Sequence, residues 1–470
     1  MRLGIMTEFP SPAVQSGPAI HTRFLYQGMS KRGHDVVLMG PDTGSEVAID
    51  HDRVQIYRGY SYPTHPKVKI PMPGPVGDML SPPKVDLIHS QTNTHMVHYA
   101  VWMRQMWQVP VLNTHTVHLP THSHFLLSDS LYENVQLRRL IRRQADQMEL
   151  NFARLYNQGD CLIVQSRHFV EYWRQRGVTV PIEVVGRPID PAKFSKMAGP
   201  DPYPRHFMTG KRMVVVCRHD REKSLDQLIR IFDREIAPSD PEVTLTLVGD
   251  GHDHANLLAL ADRSKHRDRI HFPGEVRHDM LVDWYSHGDI FVYTSVSETF
   301  GNVVNEALWC GLPAVALNDR MGVAHQVADE VNGFLIEPNR ASTDREFASA
   351  CLLLTRDHNL RRKMSEEAAN LSRRNAHPDV VLGRFESIYG EAHEHCRSTV
   401  IKPLSERSRV RQLKAFAHHV SRWSWYNGWL LAIAHAATRL GASRSGAAIE
   451  HVNTATRGEV KTQTSTRAAV

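Results

Sequence analysis

The feature that most limits how this chain of 470 residues can fold is a pattern that occurs twice. Short apolar runs alternate with longer amphipathic stretches, halt at a break rich in proline and glycine, and then begin again. Such alternation is the signature of βαβ units laid around a parallel sheet. In the first block the strands are expected at Leu3 to Met6, Asp35 to Met39, Val85 to His89, Val111 to Thr114 and Cys161 to Gln165. Helices lie between them, including Ala19 to Arg32 and Asn93 to Met106; Lys31-Arg32-Gly33 supplies the basic last turn and the glycine that close a helix. Gly186-Arg187-Pro188-Ile189-Asp190-Pro191 and Gly199-Pro200-Asp201-Pro202-Tyr203-Pro204 then hold residues that continue neither a helix nor a central strand. The second block places strands at Met213 to Cys217, Val243 to Val248, Ile270 to Phe272, Ile290 to Tyr293, Ala314 to Leu317 and Phe334 to Ile336, with a charged helical stretch from Asp344 to about Cys396. Two doubly wound α/β sheets in tandem imply a cleft, and ligands of such sheets bind beyond the carboxyl ends of the strands. The expected division is 1–188 for one Rossmann-like domain, 189–211 for the linker, 212–397 for the second domain with its closing helices, 398–450 for a basic amphipathic segment and 451–470 for a disordered tail.

Composition narrows the function classes. With 41% apolar and 23% charged residues there is ample material for globular cores. No run of ~18 uncharged apolar residues offers a bilayer-spanning helix. Met1 to Thr7 reads as a first strand without a small-residue cleavage site, so the chain is expected to stay in the cytoplasm. Cys161, Cys217, Cys310, Cys351 and Cys396 are scattered and odd in number, which disfavours a disulfide framework or a thiolate zinc site. The formal charge of +6 is uneven: from Arg397 onward twelve Lys/Arg face three Glu, which leaves the preceding 396 residues at −3. A basic tail on a nearly neutral body disfavours nucleic acid as a partner of the body and favours an acidic partner, such as an anionic membrane surface, for the tail.

The most informative segment is Ser297-Glu298-Thr299-Phe300-Gly301-Asn302-Val303-Val304-Asn305-Glu306-Ala307, which follows an apolar strand and opens a helical pattern. Glu298 falls on the loop and Glu306 about one turn into the helix, so the two carboxylates face different parts of one ligand. Gly301 and Asn302 mark a helix N-terminus, where unbonded backbone N–H groups suit a phosphate. A charged helix start with a solvated Glu306 is the plainer alternative. No GxGxxG follows the first strand, so dinucleotide oxidoreduction has little support.

Taken with its surroundings, this segment resembles the E-x7-E signature of the retaining nucleotide-sugar glycosyltransferases of family 4. The resemblance extends through Val215-Val216-Cys217-Arg218-His219-Asp220-Arg221-Glu222-Lys223-Ser224, Val248-Gly249-Asp250-Gly251, Ile270-His271-Phe272-Pro273-Gly274 and Gly288-Asp289-Ile290-Phe291-Val292, in that order, and covers about 390 residues. It implies a GT-B architecture: an N-terminal acceptor-binding domain and a C-terminal nucleotide-sugar-binding domain facing across a cleft, with no metal and no resident cofactor. By resemblance, Arg218 and Lys223 bind the donor diphosphate, Glu298 holds the donor sugar's hydroxyls, Glu306 holds the ribose, and Phe300, Gly301 and Asn302 complete the nucleotide site. Two fixed cations would neutralise the leaving diphosphate in place of a metal. Ser224 stands where the family usually has glycine. Ser16-Gly17-Pro18 resembles the family's paired-glycine loop, with Gly17 allowing close approach to the donor phosphate, although Ser16 replaces the first glycine and Pro18 lacks an N–H. His115 matches the family histidine near the reacting sugar.

Two metal readings fall away on chemistry. His115, His118, His122 and His124 have no cysteine or carboxylate at ligand spacing, and a polar turn accounts for Asp50-His51-Asp52. On the acceptor side, Leu137, Leu140, Ile141 and Met148 recur at helical spacing among Arg138, Arg139, Arg142 and Arg143. In the tail Val410, Leu413, Phe416, Ala417 and Val420 share a face opposite Arg411, Lys414, His418 and Arg422, before an uncharged stretch containing Trp423, Trp425 and Trp429. As a helix, the uncharged stretch Trp423 to Thr438 reaches about 24 Å, short of the ~30 Å hydrocarbon core, so it is expected to lie in the inner membrane surface; packing on the body is the alternative. The family's lipid glycosyltransferases, such as diacylglycerol glucosyltransferases and phosphatidylinositol mannosyltransferases, carry similar basic apolar surfaces. The expectation is therefore transfer of a hexose from a nucleotide-diphosphate sugar, UDP-glucose or UDP-galactose first, to a lipid such as diacylglycerol. A soluble sugar or polysaccharide acceptor, or a nucleotide-sugar epimerase of the same fold, is the alternative.

Overall fold

A computed structural model describes residues 1–8, 10, 17–41, 54–57, 59–62, 65–71, 83–91, 96–118, 135–194, 199–207, 210–399, 402–422 and 424. The first domain carries β1 (Arg2–Met6), α1 (Gly17–Lys31), β2 (Asp35–Pro41), β3 (Val54–Tyr57), β4 (Gly59–Tyr62), β5 (His65–Pro71), β6 (Leu87–Ser90), α2 (Met96–Trp107), β7 (Val111–Thr114), α3 (Val135–Tyr156), β8 (Cys161–Val164), α4 (His168–Gln175) and β9 (Ile182–Val184). Its sheet runs β3-β2-β1-β6-β7-β8-β9, parallel throughout, while β4 and β5 form a separate antiparallel pair. The second domain contributes β10 (Lys211–Val216), α5 (Leu225–Ile231), β11 (Val243–Val248), α6 (His254–Ala261), β12 (Ile270–Gly274), β13 (Ile290–Tyr293), α7 (Asn302–Trp309), β14 (Ala314–Leu317), β15 (Gly333–Ile336), α8 (Thr343–Arg356), α9 (His358–Ala376) and α10 (Pro378–Ser398). Its parallel sheet runs β12-β11-β10-β13-β14-β15. The central strands are buried along their whole length, as β11 and β13 show, because helices cover both faces of a parallel sheet. All eleven strands read from the sequence are present. β3, β4, β5 and β9 add to those eleven.

One boundary differs from the sequence reading. The division at 397 puts every closing helix with the second domain, yet α10 belongs to the core of the first. Val381, Leu382, Phe385, Ile388, Tyr389 and Ala392 pack with Leu3, Ile5, Leu25 and Leu112. Each larger apolar side chain so buried contributes roughly 1.5–3 kcal/mol. Pro378 sets the turn that redirects the chain, since it occupies the first turn of α10 and cannot extend α9. Beneath α10, His89 Nδ1 lies 2.9 Å from the Tyr389 hydroxyl and Nε2 lies 2.8 Å from Thr114 Oγ1. Burial pushes the His89 imidazole down to about 3, so it is neutral there. The chain thus crosses between domains twice, and the crossings touch: Ile189 N–H donates to the Ala376 carbonyl at 2.9 Å.

The tail departs from expectation too. Residues 409–422 are helical, but the apolar face read from the sequence is divided. Phe416 turns inward with Ala415 and packs on the first domain, its ring 5.6 Å from that of Trp102. Val410 and Leu413 stay 62% and 53% exposed. Trp423, Trp425 and Trp429 lie outside the described residues. No described helix is long and apolar enough to cross a membrane.

Candidate active site

In the second sheet β10 lies between β11 and β13, so the loops leaving β10 and β13 diverge and open a crevice at the carboxyl edge. Lys223 sits on the first loop and Glu298 on the second. The buried Lys223 Nζ donates to Glu298 Oε1 at 2.5 Å, and the same oxygen accepts from the Tyr293 hydroxyl at 2.7 Å and Ser295 Oγ at 3.0 Å. Burial alone would lower the ammonium, but the Glu298 and Glu222 carboxylates outweigh it and hold Lys223 charged, above its ordinary value. The Thr294 hydroxyl donates to the carbonyls of Lys223 and Ser224, each at 3.0 Å, which fastens the two loops together. Ser224 adopts the left-handed conformation, φ 51°, that a glycine would take without strain.

Arg218 is 57% exposed in its side chain and turns to its own loop, 2.9 Å from Asp220 and 3.6 Å from Glu222. With Cys217, Gly249, Asp250, Glu275 and Val276 it lines a groove of about 520 Å³ along the carboxyl edge. Among the sequence-predicted residues, then, Lys223 meets Glu298 directly, while Arg218 lines the neighbouring groove.

Glu306 is buried on α7, its Oε1 3.0 Å from His278 Nε2 and its Oε2 accepting from the Tyr285 hydroxyl at 2.9 Å. The hydrogen bond to Glu306 raises His278 above the ordinary imidazole value. Gly301 caps α7 in the left-handed region, φ 82°, and Phe300 before it is buried. No sequence pattern linked His278 or Tyr285 to Glu306, because they reach it from a separate helical segment.

The first domain meets this edge at α1. A Cβ on Gly17 would lie 2.6 Å from Arg187 Nη1 and 3.1 Å from Asn302 Nδ2, so the glycine is what permits the approach. Ser16 lies outside the described residues, as do Asp50, His51, Asp52, His122 and His124. Arg187, which in the sequence is one residue of a turn-rich break, donates from Nη1 to Asn302 Oδ1 at 3.1 Å. A charged residue between Gly186 and Pro188 was the available signal for it. His115 follows β7 and is fully buried, its ring 5.0 Å from Phe169 and 4.9 Å from Trp173. Its loop reaches the other domain through His118 N–H, which donates to Thr299 Oγ1 at 3.1 Å.

Two family models match the chain in tandem: "Glycosyltransferase Family 4" over residues 15–193 and "Glycosyl transferases group 1" over residues 204–371. The chain belongs to glycosyltransferase family 4. It is 21% identical over 379 residues to the alpha-monoglucosyldiacylglycerol synthase of Streptococcus pneumoniae, a match covering 73% of this chain and 79% of that one. It is 33% identical over 127 residues to a phosphatidylinositol N-acetylglucosaminyltransferase subunit of Schizosaccharomyces pombe, covering 27% of this chain and only 25% of the subunit. Among solved structures, Anabaena HepE in complex with UDP superposes with a TM-score of 0.60 at 17% identity, covering 83% of this chain and all of that one. The fold of the family-4 enzyme is therefore GT-B, and it is a glycosyltransferase close to glycolipid synthases.

Proposed function

We propose that this family-4 enzyme transfers a hexose, with retention of configuration and without a metal, from a nucleotide-diphosphate sugar to a membrane lipid such as diacylglycerol. The observation that carries the reading is the buried Lys223–Glu298 pair at the switch point of the second sheet. As the sugar–phosphate bond breaks, negative charge gathers on the diphosphate. A cation held in a water-poor crevice stabilises that charge without reorganising at the moment of reaction. In this reading Lys223 and Arg218 face the diphosphate, Glu298 orients the donor sugar, Glu306 receives the ribose once His278 yields, and Gly17, Phe300, Gly301 and Asn302 border the nucleotide. His115 stands near the reacting sugar. UDP-glucose and UDP-galactose come first as donors.

Support for the lipid acceptor comes from the glycolipid for whose synthesis the pneumococcal relative is named, from exposed Arg139, Arg142 and Arg143 on α3, and from the outward Val410 and Leu413 on the basic tail helix. Such a surface suits peripheral attachment to an anionic leaflet. Phe416 on Trp102 favours a tail anchored to the body that offers only part of its apolar face. The deciding experiment supplies the full-length enzyme with UDP- and GDP-sugars and a membrane-lipid extract, and reads nucleotide release and labelled lipid together. Labelled lipid supports the reading. Release with only a water-soluble acceptor, or donor isomerised without any acceptor, refutes the lipid part; silence with every donor refutes the whole.

A further inference from the structure

Arg187 is a charged group that the enzyme buries without a carboxylate in contact with it among the described residues. The residue is 8% exposed, yet among the described residues no carboxylate lies within ion-pair distance of its guanidinium. Its Nε is buried with no hydrogen-bond partner, and the interactions of the head group are Nη1 with the neutral Asn302 Oδ1 and a face 5.9 Å from the Phe300 ring. Burial pushes the guanidinium down to about 10, only partly offset by the field of Glu298. The backbone of Arg187 is nonetheless firmly held: Asn305 Nδ2 donates to its carbonyl at 3.0 Å, and Ser372 Oγ lies 3.3 Å from Asn305 Oδ1. Such an arrangement costs stability in the free protein, because an unpaired buried charge loses its hydration without a partner. A guanidinium keeps several planar donors that one amide oxygen cannot satisfy.

The surroundings say which kind of anion this guanidinium would suit. The Nη1 atom stands at the one place where the first domain's Gly17, the second domain's Asn302 at the start of α7, and the field of Glu298 meet. Pro18 next to Gly17 has no N–H to offer, so a charged side chain supplies what the backbone lacks there. We infer that Arg187, carried on the first interdomain crossing, is a direct ligand of the donor's diphosphate, its fork of N–H groups taking phosphate oxygens alongside Lys223. A planar guanidinium suits this task because it bonds phosphate in a bidentate way. The inference rests on the donor reading above.

The test measures binding of UDP, GDP, UMP and inorganic pyrophosphate to the full-length enzyme by calorimetry, with melting curves of each ligand-free variant. Arg187→Gln is expected to weaken the diphosphate that wild type binds by about 10- to 100-fold, the effect of losing a hydrogen bond to a charged group. UMP is expected to lose less. The ligand-free melting temperature is expected to hold or rise, because an uncompensated charge has gone. A purely structural Arg187 predicts the reverse, a lower melting temperature with nucleotide affinity unchanged in the folded fraction, and that result overturns the proposal. Arg187→Lys is expected to restore part of the affinity. Full diphosphate affinity in Arg187→Gln sinks this inference and leaves the donor reading standing; no binding of any nucleotide by wild type sinks both.

Discussion

Replacing Lys223 by methionine isolates the interaction at the centre of the site, since it keeps the length of the side chain and removes its charge. The residue is 8% exposed and its ammonium meets Glu298 at 2.5 Å. Breaking a buried ion pair by removing one partner costs about 3–5 kcal/mol, because the other charge is left uncompensated. Glu298 would retain the Tyr293 and Ser295 hydroxyls, so the lower end applies, about 3 kcal/mol. For a domain of this size that is a fall of roughly 6–12 °C in melting temperature. The pH dependence has a definite sign. Lys223 is raised above its ordinary 10.5, so its contribution is complete below that value and is lost only as pH climbs past the folded value. From this pair, wild-type stability should therefore be level between about pH 6 and 9. In Lys223→Met the Glu298 carboxylate loses its ammonium partner and titrates upward, and stability should fall as pH rises. Adding Glu298→Gln should recover about 2 kcal/mol, since the stranded charge disappears. Melting curves of both single variants and the double variant at two pH values read all of this. A loss under about 1 kcal/mol in Lys223→Met, or strict additivity in the double variant, would falsify the pairing.

Three further outcomes are expected. Ser224→Gly should raise stability by about 0.5–1 kcal/mol, because it relieves a left-handed conformation, with turnover changed less than twofold; a drop in melting temperature would contradict the strain. His278 is raised by Glu306, so the stability it lends is complete below about 6.5 and lost as pH rises through its folded value; Glu306→Gln should remove that slope, as titration of the His278 resonance by NMR together with melting curves would show. Val410→Ser with Leu413→Ser should leave the melting temperature within about 1 °C while reducing co-sedimentation with anionic vesicles, whereas Phe416→Ser should lower it by releasing a contact with Trp102. Equal vesicle binding in the first variant would remove the tail from the attachment surface.

Much of the fold was legible because a parallel sheet leaves a near-continuous apolar run in many strands, and β1, β10 and β13 all show one. The pairing of Lys223 with Glu298 could be anticipated from their order after two strands, once those strands were neighbours of a switch point. Contacts between distant segments could not be read. The return of α10 to the first core depends on which sheet its apolar face meets, and amphipathic spacing is silent on that. Arg187 was visible only as part of a break, because its burial is created by two domains that the sequence treats separately. Phe416 follows the same rule: its helical spacing was correct, but the surface that receives it is Trp102, more than three hundred residues earlier.

The return of α10 also governs the order in which the molecule can be made. The first sheet is synthesised early, yet Phe385, Ile388 and Tyr389, which complete its core, leave the ribosome after the entire second domain. The amino-terminal half must wait, with an apolar face uncovered, until its last helix arrives from the far end of the chain. Cutting between the two sheets would therefore yield one fragment that lacks a wall and another that carries a spare one. Two halves that fold alone would be obtained only by grafting residues 378–398 onto the first.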